Sequence, residues 1–374
     1  MPPRGAGMIL QAPEYPVPRM PGAHRPMSRP QSGTGLLKLA CAVAVLNAAV
    51  GTTAGAAGTT LRDVVAAEDT PYAENAELMR RMASPLTRLA EERRLASSGA
   101  TLARYPLDAA SERFLIYQPA APPPPQGFAL LVFVPPWQDA RLPPGWAMVL
   151  EHFGAVFITA ARSGNDENSV GRRVPLALLA ATEARRRFPI DPQRVYVAGF
   201  SGGSRIALRI ALAYPDVFRG AILDAGSDPI GTPQVPLPPQ ELFAQFQSQT
   251  RLVYITGERD LAHLADDSRS IHSLHQWCVA SVDEAVQPHV QHEVALPGAL
   301  SQALDRLATQ GRAEPEKLAR CRAALDADLT ARLHEVEELI ASGATREAAA
   351  RLRQIDERFG GLAAPRSIEL AGRL

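Results

Sequence analysis

The sequence predicts an α/β protein, a doubly wound and mostly parallel sheet followed by a C-terminal helical hairpin. Three observations carry this. Short, nearly all-apolar runs recur at 128–134, 155–159, 195–198, 220–223 and 252–256, as expected for strands of a parallel sheet buried on both faces. Stretches of helical period such as 175–188 and 206–214 lie between them, so strand and helix alternate. After residue 309 the apolar residues recur only at three- and four-residue steps, which is the pattern of helix alone.

The N-terminal 35 residues are rich in Pro, Gly and Arg, too poor in core-forming side chains to fold. Met8, Met20 and Met27 each offer a start. From Met27 the order is Arg29, Lys38, an apolar stretch 39–50 and the small residues 53–57. That is the layout of a secretory leader cleaved near Ala56 or Ala57, with an apolar stretch too short to span a bilayer. The expectation is therefore an exported protein, periplasmic or secreted, without a stable membrane span after cleavage. Of the two cysteines left, Cys278 and Cys321, the sequence allows either a bridge or two separate thiols.

Four segments are expected along the chain: 1–57 as disordered N-terminus and signal peptide, 58–103 as a helical segment, 104–311 as the catalytic unit and 312–374 as the helical hairpin. Within them, 73–97 has helical period, and 102–107 and 113–118 read as two strands joined by an Asp-Ala-Ala-Ser turn. The prolines 122–125 make a stiff loop. Pro175 opens a helix. The Pro-rich insertion 227–239 precedes a short helix near 242–246 and is placed to wall a cleft. A last strand is expected over 278–286 and a helix over 300–307. Two helices, 318–340 and 349–359, and a short third from Pro365 complete the chain.

At 374 residues, 46% hydrophobic, the chain can bury a large core. Lys plus Arg equals Asp plus Glu at 39 each, so no basic field points to nucleic acid or an anionic surface. No phosphate loop, nicotinamide fingerprint or metal cluster is evident, and no cofactor is expected.

The chemistry concentrates at Gly199-Phe200-Ser201-Gly202-Gly203, between the strand 195–198 and the helix 206–214. A serine on such a turn is held in a strained conformation at the top of the sheet, and the residues two before and two after it must be small. Gly199 and Gly203 meet that need. The helix start behind Ser201 offers the Gly202 N–H to a developing oxyanion.

A serine nucleophile needs a base, and the base needs an acid. In 252–260 a β-rich run leads through Gly257 to carboxylates just beyond the strand, and Asp260 is the chosen acid; Glu258, Asp224 and Asp228 are its rivals. Among eight histidines, His24, His152 and His334 lie in the wrong places, and His263, His272 and His275 read as ordinary helix residues. His289 and His292 follow the last strand, and His292 is preferred as base. Their spacing of three, with no third ligand, does not define a zinc site. The second oxyanion donor must come from the turn Pro135-Pro136-Trp137-Gln138; proline has no N–H, so Trp137 or Gln138 supplies it, with Trp137 preferred. The loop Arg162-Ser163-Gly164-Asn165 reads equally as a cleft lining or a solvated turn.

The stretch Asp191-Pro192-Gln193-Arg194-Val195-Tyr196-Val197-Ala198-Gly199-Phe200-Ser201-Gly202-Gly203, with Tyr214-Pro215-Asp216-Val217-Phe218, resembles the nucleophile region of secreted α/β-hydrolase esterases of the polyhydroxybutyrate depolymerase and feruloyl/acetylxylan esterase group. The resemblance covers roughly 104–310 and implies the α/β-hydrolase fold, with Ser201 as nucleophile, Asp260 as acid and His292 as base. Two positions depart from the group: Pro135-Pro136 replaces a common His-Gly, and Gln291-His292 replaces the usual Gly-His. The expected activity is serine-dependent hydrolysis of a small carboxylic ester. The alternatives are a peptidase or amidase of the same fold, and a catalytically idle fold that binds a protein partner through its C-terminal helices.

Overall fold

The computed structural model describes residues 58–309 and 314–374; the segment read as a secretory leader lies outside the described residues. The strands are β1 (Thr59–Val64), β2 (Phe114–Gln118), β3 (Phe128–Val134), β4 (Ala155–Ala160), β5 (Ile190–Phe200), β6 (Gly220–Asp224), β7 (Arg251–Gly257) and β8 (Ser281–Gln287). They form one sheet in the order β1-β2-β4-β3-β5-β6-β7-β8. The β1–β2 and β2–β4 pairs are antiparallel and the other five are parallel. With helices on both faces, this is the α/β-hydrolase fold that the sequence predicts.

The helices are α1 (Asn75–Met82), α2 (Pro85–Ser98), α3 (Trp146–Phe153), α4 (Val174–Arg187), α5 (Gly202–Ala213), α6 (Gln240–Gln249), α7 (Leu261–Gln276), α8 (Pro297–Ala308), α9 (Pro315–Ala341), α10 (Thr345–Phe359) and α11 (Arg366–Ala371). Because side chains alternate across a strand, β3 divides between two cores. Leu130, Val132 and Val134 face a cluster with α4 and α5, whereas Leu131 and Phe133 face one with Trp146 and Leu150 of α3 and Leu300 and Leu304 of α8. All seven β3 residues are buried, each large side chain contributing about 1.5–3 kcal/mol.

Three readings of the chain change at the sheet edge and N-terminal helices. Residues 102–107 are not a strand. Instead the Asn75 N–H and Nδ2 donate to the Arg104 and Ala103 carbonyls at 2.9 and 2.8 Å, so this segment serves the start of α1. The edge strand beside β2 is β1, which sequence analysis missed because only Val64 in it is buried. The helix read over 73–97 is two helices, broken where Pro85 has no N–H to continue the ladder. Ser84 caps α2, and the Asp356 carboxylate accepts from the Leu86 N–H at 2.9 Å and from Ser84 Oγ.

Asp356 lies on α10, so this cap also anchors the C-terminal hairpin. Leu333, Val336, Leu352, Ile355 and Phe359 continue the main core, and Phe359 meets Trp277 edge-on at 5.6 Å between ring centres. Cys278 and Cys321 form a disulfide with Cα atoms 6.0 Å apart, which joins α9 to the segment between α7 and β8. The Pro-rich insertion 227–239 buries Ile230, Val235 and Leu237, and the Leu237 carbonyl accepts from Gly361 N–H at 2.7 Å. Its observed packing is therefore against the C-terminal segment.

Candidate active site

At the C-terminal end of β5 the chain turns into α5 within one residue, Ser201, whose φ of 56° and ψ of −123° are strained for a residue with a Cβ. The glycines make the turn possible. A Cβ on Gly199 would stand 2.8 Å from Ser204 N, and one on Gly203 would stand 2.9 Å from the Val134 carbonyl carbon with the oxygen closer still. The Ser201 N–H is fixed by the Asp224 carbonyl at 2.7 Å, which leaves Oγ at the sheet's rim.

Two further strand ends deliver the partners. Asp260 follows β7 and His292 lies in the loop after β8. His292 Nε2 is 2.9 Å from Ser201 Oγ, and its Nδ1 is 2.6 Å from Asp260 Oδ2. The geometry fits an Nδ1–H donating to the carboxylate while Nε2 accepts from the serine hydroxyl. The serine, acid and base candidates chosen from sequence thus converge. Their rivals do not: Glu258 accepts from the His289 N–H at 2.8 Å, Asp228 pairs with Arg205 and Arg209, and Asp224 accepts from the Ala295 N–H at 2.6 Å. His289 is 80% exposed and meets Glu258.

Sequence analysis missed His263, which it read as an ordinary helix residue. Its Nδ1 is 2.8 Å from Asp260 Oδ1 and its ring stacks on His292 at 4.2 Å, 14° from parallel. The spacing was the signal: three residues after Asp260, at the start of α7, a side chain returns over its own N-cap. Phe200 covers the other side of His292 at 4.8 Å, so the imidazole is held between two rings. Burial opposes ionisation of Asp260, but the hydrogen bonds from His263 and His292 outweigh it and hold the carboxyl below its ordinary value.

Beneath these groups lie two buried carboxyls that share no hydrogen bond with the imidazoles. Burial pushes Asp267 up to about 6 despite hydrogen bonds from Thr256 Oγ1 at 2.5 Å and the Gly226 N–H at 3.3 Å. Burial raises Asp224 well above the usual carboxylate range, against the opposing Ala295 hydrogen bond.

Gly202 and Gly203 supply the first amides of α5, where helical N–H groups have no carbonyl a turn earlier to bind. The Asn165 side chain lies against Gly202, where a Cβ would stand 2.7 Å from its Cγ; the loop read as either lining or solvated turn thus borders the site. The Pro136 carbonyl accepts from the Asn165 N–H at 3.1 Å, which fixes the peptide preceding Trp137. The Trp137 ring packs against Phe133 and Phe200, with the Arg141 guanidinium 4.1 Å from its centre. Trp137 and Phe200 therefore give the rim an apolar side, while Arg205, Asp228 and Asp266 form a charged group on and beside α5.

Asp260, His263 and His292 are close enough together to offer a cation three atoms. Asp260 and His292 already spend theirs on each other and on Ser201, which suits proton transfer.

No protein-family model and no curated protein matches the chain. Among solved structures it is similar to the S-formylglutathione hydrolase FrmB of Staphylococcus aureus, at 13% identity and a TM-score of 0.43 over 54% of this chain and 94% of that one. It is also similar to an acetyl xylan esterase of Aspergillus awamori, at 14% identity and 0.40 over 53% and 94%. A puromycin-hydrolysing peptidase of Mycobacterium tuberculosis gives 16% and 0.37 over 53% and 36%.

Proposed function

We propose that this chain is a serine hydrolase that cleaves small carboxylic esters through an acyl-enzyme. The observation that carries the reading is the continuous hydrogen-bonded line from Ser201 Oγ through His292 to Asp260, at 2.9 and 2.6 Å, on a strained strand-to-helix turn. Ser201 Oγ attacks the ester carbonyl while His292 Nε2 takes its proton. Asp260 holds the imidazole tautomer and offsets the charge that forms on it. His292 then protonates the departing alcohol, and water attacks the acyl-enzyme by the same route. The Gly202 N–H, with Trp137 N–H as second donor, faces the oxyanion. The half-buried Trp137 ring, backed by the buried Phe200, suits an acyl chain.

Export to an oxidising compartment is part of the proposal. The leader-like sequence supports it, and so does the Cys278–Cys321 disulfide, a bond that persists outside the reducing cytosol.

The test is labelling of the purified protein with a fluorophosphonate, alongside hydrolysis of p-nitrophenyl acetate and a matched p-nitroanilide. Wild type is expected to label and to cleave the ester, with Ser201→Ala and His292→Ala abolishing both. A folded wild type that fails to label would sink the proposal. Cleavage of the anilide in preference to the ester would transfer it to amides.

A further inference from the structure

Arg173, the residue before α4, is 4% exposed, yet none of its hydrogen-bond partners is a carboxylate. Its Nε donates to the Ser163 carbonyl at 3.0 Å, Nη1 to the Gly202 carbonyl at 3.3 Å and Nη2 to the Pro135 carbonyl at 2.9 Å. Each carbonyl belongs to a different segment of the candidate site. Pro135 opens the turn that carries Trp137, Ser163 opens the turn of Asn165, and Gly202 follows the nucleophile. Burial, with help from Arg209, pulls the guanidinium down to about 10, still far above neutrality, so it remains a cation.

A buried guanidinium with no carboxylate hydrogen-bonded to it is costly even with the Glu167 charge in range, and a structural tie between three loops does not require a charge. We infer that Arg173 is the positioning residue of the oxyanion site: it locks the three segments together and sets a fixed positive charge beneath the point where negative charge develops. The inference rests on the serine hydrolase reading. A cation there interacts little with a neutral ester and strongly with the tetrahedral oxyanion, so its contribution falls on the transition state alone. Arginine suits the task because its planar fork reaches three carbonyls at once.

The charge and the tie are separated by two variants of the full chain, Arg173→Met and Arg173→Lys. Arg173→Met removes both, whereas Arg173→Lys keeps the charge and surrenders most of the fork. Three assays are run on each: kcat and KM on p-nitrophenyl acetate, inhibition by a trifluoromethyl ketone that forms a hemiketal oxyanion on Ser201, and inhibition by butanol as a neutral competitor beside Ser201. Circular dichroism reports folding. For Arg173→Met we expect kcat to fall at least 30-fold with KM within threefold, and trifluoromethyl ketone affinity to fall in parallel while butanol inhibition holds. Arg173→Lys is expected to recover at least half of the logarithmic loss. Equal losses for ketone and butanol, or a lysine variant as poor as methionine, would show a scaffold role only and overturn the inference. Should Arg173→Met not fold, Arg173→Lys decides by itself: ketone affinity within fivefold of wild type upholds the charge, and a larger loss refutes it. Fluorophosphonate labelling of wild type separates the two levels. Absence of labelling brings down the hydrolase reading together with this inference, whereas labelling with no transition-state effect brings down the inference alone.

Discussion

Asp260 serves two imidazoles, and that makes the outcome of Asp260→Asn unusual. In an isolated acid–histidine pair, asparagine can present its NH2 to the base and enforce the wrong tautomer, a loss of about 10⁴ in kcat. Here Oδ2 faces His292 Nδ1 at 2.6 Å and Oδ1 faces His263 Nδ1 at 2.8 Å. The amide can turn its oxygen to His292 and its NH2 to His263, which becomes an acceptor by moving its proton to Nε2. The proper tautomer of His292 survives and only the charge is lost. Two unit charges about 4 Å apart at an effective dielectric of about 20 interact by about 4 kcal/mol. With the His292 side chain 35% exposed, solvent screening reduces this to about 2–3 kcal/mol. The expected loss in kcat is then about 30- to 160-fold. A donor-only neighbour removes the choice: in Asp260→Asn with His263→Lys, the ammonium claims the amide oxygen, NH2 must face His292, and the loss should approach 10⁴. His263→Lys alone, with the carboxylate intact, should retain most activity. The assay is p-nitrophenyl acetate hydrolysis at pH 8, with burst amplitude to count competent sites. A 10⁴-fold loss in Asp260→Asn itself would refute the shared-acceptor argument, and a loss below threefold would remove Asp260 from the mechanism.

Three further outcomes follow from the packing. Gly203→Ala places a Cβ 2.9 Å from the Val134 carbonyl carbon and closer to its oxygen, so a backbone must shift; a stability loss of about 3 kcal/mol is expected in urea unfolding, and an unchanged midpoint would show that the turn has slack. Asp267 has its folded value raised from 3.8 to about 6, so the folded state binds the proton more tightly and this group lowers stability as pH rises from about 4 through 6. Asp267→Asn should therefore gain on wild type over that window by about 3 kcal/mol, and a difference flat from pH 4 to 8 would contradict the raised value. Loss of the Cys278–Cys321 bridge, which spans 43 residues of sequence, should cost about 4 kcal/mol on the chain-entropy account; Cys278→Ser with Cys321→Ser should melt earlier than the oxidised wild type and match the reduced one.

The parts of this fold legible in the sequence are those where one physical demand dominates. The runs at β3, β4 and β7 are apolar on both faces because both faces are buried. The elbow was legible because glycine alone satisfies the approach of β5, α5 and β3. The edge was not. In β1 only Val64 is buried, so its pairing with β2 leaves almost no apolar pattern, and 102–107, with a better pattern, is held by Asn75 instead. In the site, the order of strand ends narrowed acid and base to few candidates, since loops after β7 and β8 must reach the serine. Only coordinates could separate Asp260 from Glu258, two residues apart and both beyond the same strand.

Arg173, and His263 apart from its spacing from Asp260, were hard to read for another reason. Each acts on a group that is distant in sequence or contributed by backbone: His263 shares a carboxylate with a base 29 residues later, and Arg173 binds carbonyls, which every residue has. A motif records the groups nearest the proposed chemistry, here Ser201 with the strand-end positions of Asp260 and His292. The groups that hold those atoms under strain leave no motif, because the fold can supply them from any element that passes nearby. The Ser201 φ of 56° illustrates the dependence: a residue in that conformation persists only where its surroundings over-determine it. The Asp224 carbonyl on its N–H, the α5 amides behind it and the Arg173 fork on the next carbonyl are that surrounding structure. Ser201→Gly removes the Cβ that makes this conformation costly and keeps those contacts, so it should raise the urea midpoint while abolishing activity, the opposite sign from a loss of core packing; a lowered midpoint would show that the turn carries no strain.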